Sequence, residues 1–291
     1  MILIKIFKIT AKMLPEILEK KFIEMLIEEG TDVTTKFTPQ KKVTAKMSAK
    51  EDGIAAGVYE LKILFETFKI NVLQAVKDGE KFKDGDILFV LEGNSHKILN
   101  VERTALDIFS RMCGIATMTN KFCEIAKKVN PNIRIAATRK TTPLFRYFEK
   151  RAVEIGGGDT HRMDLEDNIL IKNNHLALFR NNIEDALKAA KKSASFTNKI
   201  EIEVRSKEDA MEAANYAEII MFDNMSYDEI DGAIKEIRAK NNKLLFEASG
   251  RINLENIADY AKTGVDVLSS GALTHSAKQI DMSLRIVEIK E

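Results

Sequence analysis

From Thr104 onward the chain alternates short apolar runs with amphipathic stretches, and this alternation restricts its fold more than any other feature. The apolar runs are Ile133–Thr138, Ala152–Ile155, Ile169–Ile171, Lys199–Val204, Ile219–Phe222, Lys243–Phe246 and Val265–Leu268. A long helical pattern at Thr104–Lys128 precedes them. Shorter ones, such as Ile183–Lys192, Lys207–Asn215, Tyr227–Lys240 and Leu254–Lys262, separate most of them. Near-continuous apolar runs of this length suit parallel strands buried on both faces and returned by helices. Seven strands are too many for a small flavodoxin-like sheet, and no Gly-x-Gly-x-x-Gly opens the first unit, so a dinucleotide-binding fold has little support. The expectation is a barrel-like β/α fold, closed or open.

Before residue 104 the rhythm differs. A helix is expected at Leu14–Glu29, then strands at Val43–Ser48, Ile54–Val58, Lys69–Leu73, Ile87–Glu92 and His96–Val101. Asp-Gly pairs at 52–53, 78–79 and 84–85 mark tight hairpins between them. A chain of 291 residues that is 45% hydrophobic can bury a substantial core in one large or two moderate domains. Its 45 Lys+Arg and 44 Asp+Glu are interspersed, which argues against a disordered charged tail and against a nucleic-acid partner. No apolar run reaches membrane-spanning length, so no membrane partner is expected, and Lys5, Lys8 and Lys12 interrupt any signal-peptide core at the start. Cys113 and Cys123 give neither a disulfide framework nor zinc-ligand spacing. A reducing compartment, the cytoplasm, is the expected location.

The polar residues fall at the expected strand ends. They are Thr138-Arg139-Lys140, then Gly156-Gly157-Gly158 with His161-Arg162, then Lys172-Asn173-Asn174-His175. Glu203, Asp223-Asn224, Ser249-Gly250 and Ser269-Ser270-Gly271 follow in order. In parallel β/α barrels the carboxyl ends of the strands converge on one face and build the active site, so an enzyme is expected. Arg139, Lys140, Arg162 and Lys172, with His161 beside them, would repel one another on one face unless an anion lay between them. The opposing acids are read as Glu203 and Asp223 alone. That pair suits a hydrated Mg²⁺ or a cation developing on the substrate. The Ser-Gly pairs ahead of helix starts suit phosphate, and the triple glycine would let the backbone approach a ligand closely. A polyanionic, phosphate-bearing substrate with its metal follows, with a second acidic substrate. His175 and His96 read as structural.

Taken together, these segments resemble the quinolinate phosphoribosyltransferase family. The resemblance rests on Glu102-Arg103-Thr104-Ala105-Leu106, Thr138-Arg139-Lys140-Thr141-Thr142-Pro143, Gly156-Gly157-Gly158 with His161-Arg162, and Ile171-Lys172-Asn173-Asn174-His175. Phe222-Asp223-Asn224-Met225, Glu247-Ala248-Ser249-Gly250 and Ser270-Gly271-Ala272-Leu273-Thr274-His275-Ser276 extend it, and Asp32-Val33-Thr34-Thr35 is similar too. It implies an α/β fold with an N-terminal α/β sandwich domain over residues 1–112 and an open seven-stranded β/α barrel over 113–275, residues 276–291 packing back on the first. It also implies a homodimer or dimer-based assembly in which Arg103 reaches the neighbouring subunit's site. The implied reaction joins quinolinate to phosphoribosyl pyrophosphate with Mg²⁺, giving nicotinate mononucleotide, pyrophosphate and CO₂ in NAD synthesis. By motif, Thr138, Arg139, His161, Arg162 and Lys172 would hold quinolinate. Lys140, Glu203, Asp223, Ser249, Gly250, Arg251, Ser270, Gly271 and Ala272 would hold the phosphoribosyl donor, with His275 nearby. Lys140, Lys172, Glu203 and Asp223 are the implied catalytic set, and Glu203 and Asp223 would hold Mg²⁺ directly or through water.

Four positions depart from the family pattern. Ala137 and Asn173 stand where Asp is usual, Arg205 stands where Asp often follows the Glu-x-Glu-Val segment, and Arg251 follows Ser249-Gly250. Competing readings are a molybdenum-transport-associated homologue of the same fold, a nicotinate-specific transferase, a Schiff-base aldolase using Lys172 or Lys140, and a non-catalytic phosphoanion sensor. The intact Arg103 and Lys172 count against the first, and the number of cations against the second. The Glu203/Asp223 pair counts against the last two.

Overall fold

The computed structural model describes residues 12–241 and 243–290; the apolar start through residue 11 lies outside them. The chain divides into two compact units, one of residues up to 118 with 154–156 and 277–291, the other of 119–153 and 157–276.

The first unit opens on α1 (Pro15–Glu29), started by Pro15 and ended at Gly30, whose φ of 74° is left-handed. Strand β1 (Lys42–Ala49) and the short β2 (Gly53–Ile54) follow. The expected strand at Ile54–Val58 ends after one residue. Gly57 turns the chain at φ 100°, and the Asp78 carboxylate accepts the Gly57 and Val58 N–H groups at 2.9 Å. This caps α2 (Val58–Thr67), which buries Leu61, Leu64 and Phe65 on one face. Strands β3 (Asn71–Ala75), β4 (Lys81–Phe82) and β5 (Ile87–Asn94) complete the run. The last strand, β12 (Met282–Lys290), returns to pair with β1, giving an antiparallel sheet of order β12-β1-β5-β3. The Asp-Gly turns at 78–79 and 84–85 do not join paired strands, because β4 pairs with β2 and β5 pairs with β1 and β3.

The strand expected at His96–Val101 is instead the first part of α3 (Ser95–Val129). The Asn94 side chain accepts the His96 and Lys97 N–H groups, and Ile98, Val101 and Ala105 bury one helical stripe.

In the second unit six parallel strands form one sheet of order β6-β11-β10-β9-β8-β7. They are β6 (Arg134–Ala136), β7 (Ile169–Ile171), β8 (Ile200–Val204), β9 (Ile219–Asp223), β10 (Leu245–Ser249) and β11 (Val267–Ser269). Helices α4 (Arg146–Ile155), α5 (Asn173–Leu178), α6 (Ile183–Ser193), α7 (Lys207–Ala213), α8 (Tyr227–Arg238) and α9 (Ile257–Lys262) separate them, and α10 (Ala272–His275) follows the last. The seventh strand is absent among the described residues. Ala152–Ile155, expected to form it, ends α4, where Phe148, Ala152 and Val153 bury a helical face. A run of four residues, three of them apolar, fits either element, and here the preceding turns settle it as helix. One parallel bridge, Ala136 to Asp159, stands in place of the missing strand. Among the described residues no helix is long and apolar enough to cross a membrane.

Candidate active site

Residues Thr138, Arg139 and Lys140 leave the end of β6. Thr138 accepts the Lys140 N–H through its hydroxyl at 3.1 Å, which tightens the turn. His161 and Arg162 come from the loop after α4, not from a strand end. The Asp159 carboxylate accepts the His161 N–H at 2.8 Å, holding His161 at a φ of 52°. A Cβ on Gly158 would lie 2.7 Å from Thr119 and 2.8 Å from Val153, so its bareness serves packing within the unit. Lys150, fully buried on α4, donates to the Thr160 carbonyl and so ties this loop down. Burial, with the Arg146 charge next, lowers its pKa to about 8, against the attraction of Asp159.

Arg139 lies close enough to Arg162 to disfavour its charge. Burial lowers the Arg162 pKa, Glu201 raises it, and Arg139 lowers it further. Among the described residues their buried Nε atoms have no hydrogen-bond partner. Buried guanidinium N–H groups rarely go unpaired, and an anionic ligand would pair them.

His161 sits among two further acids. Its Nε2 lies 3.1 Å from Glu247 Oε2 and 3.6 Å from Glu201 Oε1. Both carboxylates are buried; Ser269 donates to Glu247 at 2.5 Å and Asn168 to Glu201 at 3.1 Å. Burial opposes the charged imidazole, but the hydrogen bonds and charges of Glu201 and Glu247 outweigh it and push its pKa up to about 10. The Arg162 N–H, 2.8 Å from His161 Nδ1, pulls the other way by favouring a bare nitrogen there. Two carboxylate charges outweigh one neutral dipole, so the net direction is upward. Burial in turn raises the Glu247 pKa.

A second group surrounds the acids at the ends of β8 and β9. Lys172 Nζ donates to Glu203 Oε2 at 2.5 Å. Arg205 grips Asp223 Oδ2 through Nε at 3.0 Å and Nη2 at 2.9 Å, and lies 3.9 Å from Glu203 Oε1. With its amide oxygen turned to the guanidinium, Asn173 accepts from Arg205 at 2.7 Å. His175 accepts the Lys172 N–H at 2.9 Å, a cap on α5.

The Ser-Gly pairs close the strand-end row. Ser249 lies in register with both Asp223 and Ser269. Gly250 has a φ of 99°, and a Cβ on it would strike the Asn224 side chain at 2.5 Å. A Cβ on Gly271 would meet His275 at 2.8 Å and the Lys140 side chain at 2.9 Å, so Lys140, Gly271 and His275 share one corner. Ser270 is already engaged: its hydroxyl donates to the Ile252 carbonyl at 2.7 Å and accepts the Ala272 N–H at 3.2 Å. Arg251, exposed at a φ of 53°, turns the chain there, and the Asn256 amide donates to its carbonyl. Arg103 lies on the α3 portion of the first unit, two-thirds exposed, with Asp107 at 3.4 Å.

Comparison with known proteins names this arrangement. Residues 32–113 match the model of the quinolinate phosphoribosyl transferase N-terminal domain, and residues 115–285 match that of its C-terminal domain. The chain belongs to the quinolinate phosphoribosyl transferase family. A probable nicotinate-nucleotide pyrophosphorylase (carboxylating) of Archaeoglobus fulgidus is 47% identical over 260 residues, covering 88% of this chain and 98% of that one. The nicotinate-nucleotide pyrophosphorylase (carboxylating) of Mycobacterium leprae is 37% identical, covering 88% and 91%. The crystal structure of NadC from Streptococcus pyogenes superposes with a TM-score of 0.88 at 33% identity, covering 97% of this chain and all of that one.

In this member of the family, Glu203 and Asp223 are not the sole acids opposing the cations. Glu201 and Glu247 face His161 from the same sheet, and both are buried. A signal for Glu201 was present, because Glu201 and Glu203 alternate with Ile200, Ile202 and Val204, and period two puts both acids on one face. For Glu247 the signal was a lone acid in the apolar run Leu244–Ala248. Lys150 gave none, since Glu149-Lys150-Arg151 looks like an exposed helical turn.

Proposed function

We propose that this protein transfers the phosphoribosyl group of phosphoribosyl pyrophosphate to the nitrogen of quinolinate and releases pyrophosphate and CO₂, leaving nicotinate mononucleotide for NAD synthesis. The observation that carries the reading is the pair of buried, unpartnered Nε atoms of Arg139 and Arg162, a receptor for a small polycarboxylate. Thr138 and His161 are assigned to the same substrate. Lys172 is assigned to it too, and is held by Glu203, one of the acids assigned to the donor.

The chemistry needs little covalent help. As the C1–oxygen bond of the donor breaks, positive charge develops on the ribose, and Glu203 and Asp223 are suited to stabilise it. The pyridine nitrogen supplies the electron pair for the new C1–N bond. The ring is then cationic and accepts the electrons left when the adjacent carboxylate departs as CO₂, and a proton restores the C–H bond. Lys172 is the proposed cation beside that ring carbon. Lys140, which shares a corner with Gly271 and His275, is the proposed holder of the donor's phosphates, joined by the backbone of Ser249, Gly250, Arg251, Ser270 and Ala272.

The oxygen-only donor set of Glu203 and Asp223 fits Mg²⁺ in kind, alongside the phosphates of the donor. When bound, the ion would draw charge from the departing pyrophosphate. A homodimer in which Arg103 completes the neighbouring site is part of the proposal, supported by the exposure of that side chain. The buried free thiols of Cys113 and Cys123 suit the cytoplasm.

A coupled assay for pyrophosphate and CO₂ tests the reading, with quinolinate and nicotinate offered separately beside phosphoribosyl pyrophosphate. Release of both products with quinolinate alone is expected. Turnover of nicotinate, or of neither acid, would overturn it.

A further inference from the structure

Glu203 and Asp223 are already neutralised by cations of this chain. Lys172 holds Glu203 at 2.5 Å, and Arg205 holds Asp223 by two bonds at 2.9 and 3.0 Å. The other oxygen of Asp223 accepts the Asn224 amide at 2.8 Å, and Arg205 lies 3.9 Å from the second oxygen of Glu203. With its amide oxygen turned to the guanidinium, Asn173 also accepts from Arg205 at 2.7 Å. Two carboxylates and two cations sum to no net charge, and three of the four carboxylate oxygens already accept an N–H. Mg²⁺ sheds its water reluctantly and binds through carboxylates with some charge to spare. The pair as it stands offers a free dication little.

We propose that Arg205 is the resident counter-ion of Asp223 in the substrate-free enzyme and holds down the affinity of the Glu203/Asp223 pair for a free divalent ion. Arg205 also becomes a positioning residue, because its fork sets the orientation of Asp223 before the ribose arrives. The inference rests on the reading of Glu203 and Asp223 as donor-side acids.

The test is a titration of the substrate-free protein with Mn²⁺, followed by the electron paramagnetic resonance signal of the free ion. Wild type and Arg205→Lys should bind Mn²⁺ weakly. Arg205→Gln should bind it at least roughly tenfold more tightly, a change of about 1.4 kcal/mol. Adding Asp223→Asn to Arg205→Gln should cancel the gain, and circular dichroism of each variant confirms its fold. Equal Mn²⁺ affinity in wild type and Arg205→Gln would overturn the inference, as would tight binding by Arg205→Lys. Run beside the quinolinate assay, the titration separates two failures. Turnover of quinolinate with no effect of Arg205 on Mn²⁺ sinks the counter-ion role alone. The Arg205 effect without quinolinate turnover sinks the substrate reading and keeps the counter-ion.

Discussion

Replacing Glu247 by Gln tests the electrostatic centre of the site with little change of shape. Glutamine keeps the length of the side chain and can still accept the Ser269 hydroxyl, while the charge 3.1 Å from His161 Nε2 disappears. The rise of His161 from 6.5 to about 10 amounts to roughly 5 kcal/mol at 1.36 kcal/mol per pKa unit. Burial is the largest single effect on His161 and opposes that rise, so the carboxylates at 3.1 and 3.6 Å together supply more than the net, and removing one should take away at least half of it, ~2 kcal/mol or more, and bring His161 well below 10. The chain has four histidines, so the imidazole resonances can be resolved and assigned by NMR titration. The linkage has a definite sign. A histidine raised in the folded state contributes stability that is fully present below 6.5 and is lost as pH rises through about 10. Glu247→Gln should therefore flatten the fall in stability across that window. A wild-type His161 titrating near 6.5, or one unmoved by Glu247→Gln, would refute the reasoning.

Three further outcomes are expected. Arg139→Ala should raise KM for quinolinate by about a hundredfold, since a buried charged pair is worth 2–5 kcal/mol, and leave KM for the donor nearly unchanged; Asp223→Ala should do the reverse, and steady-state kinetics with each substrate varied distinguishes them. Gly158→Ala should destabilise by about 1–3 kcal/mol in chemical denaturation, because its Cβ would press on Thr119 and Val153 at 2.7 and 2.8 Å. The hydrogen bond from Lys290, with that from Lys42, depresses the Glu92 pKa to about 2. The stability it lends is present above 4.5 and lost as pH falls toward 2, so Glu92→Gln should be less stable than wild type at neutral pH, with the difference closing in acid.

The sequence by itself determined the alternation of apolar runs and helices after Thr104, and with it the parallel sheet. It also determined the clustering of polar groups after those runs, because strand and helix periods are local and a barrel gathers strand ends on one face. It could not settle elements whose periodicity is too short to discriminate. Ala152–Ile155 and His96–Val101 read as strands in isolation, yet each lies in a helix, set by a buried face that began earlier or by the Asn94 cap. The pairing of charges lay still further out of reach. Arg205 and Asp223 are 18 residues apart, and His161 and Glu247 are 86 apart. Neither contact follows from spacing along the chain. Only the joining of strands β6 through β11 into one sheet, with the loop at Asp159 bridged to β6, brings the groups within hydrogen-bond range. Burial then decides which acid opposes which cation, because a charge withdrawn from water must find its partner among whatever groups the fold has placed nearby.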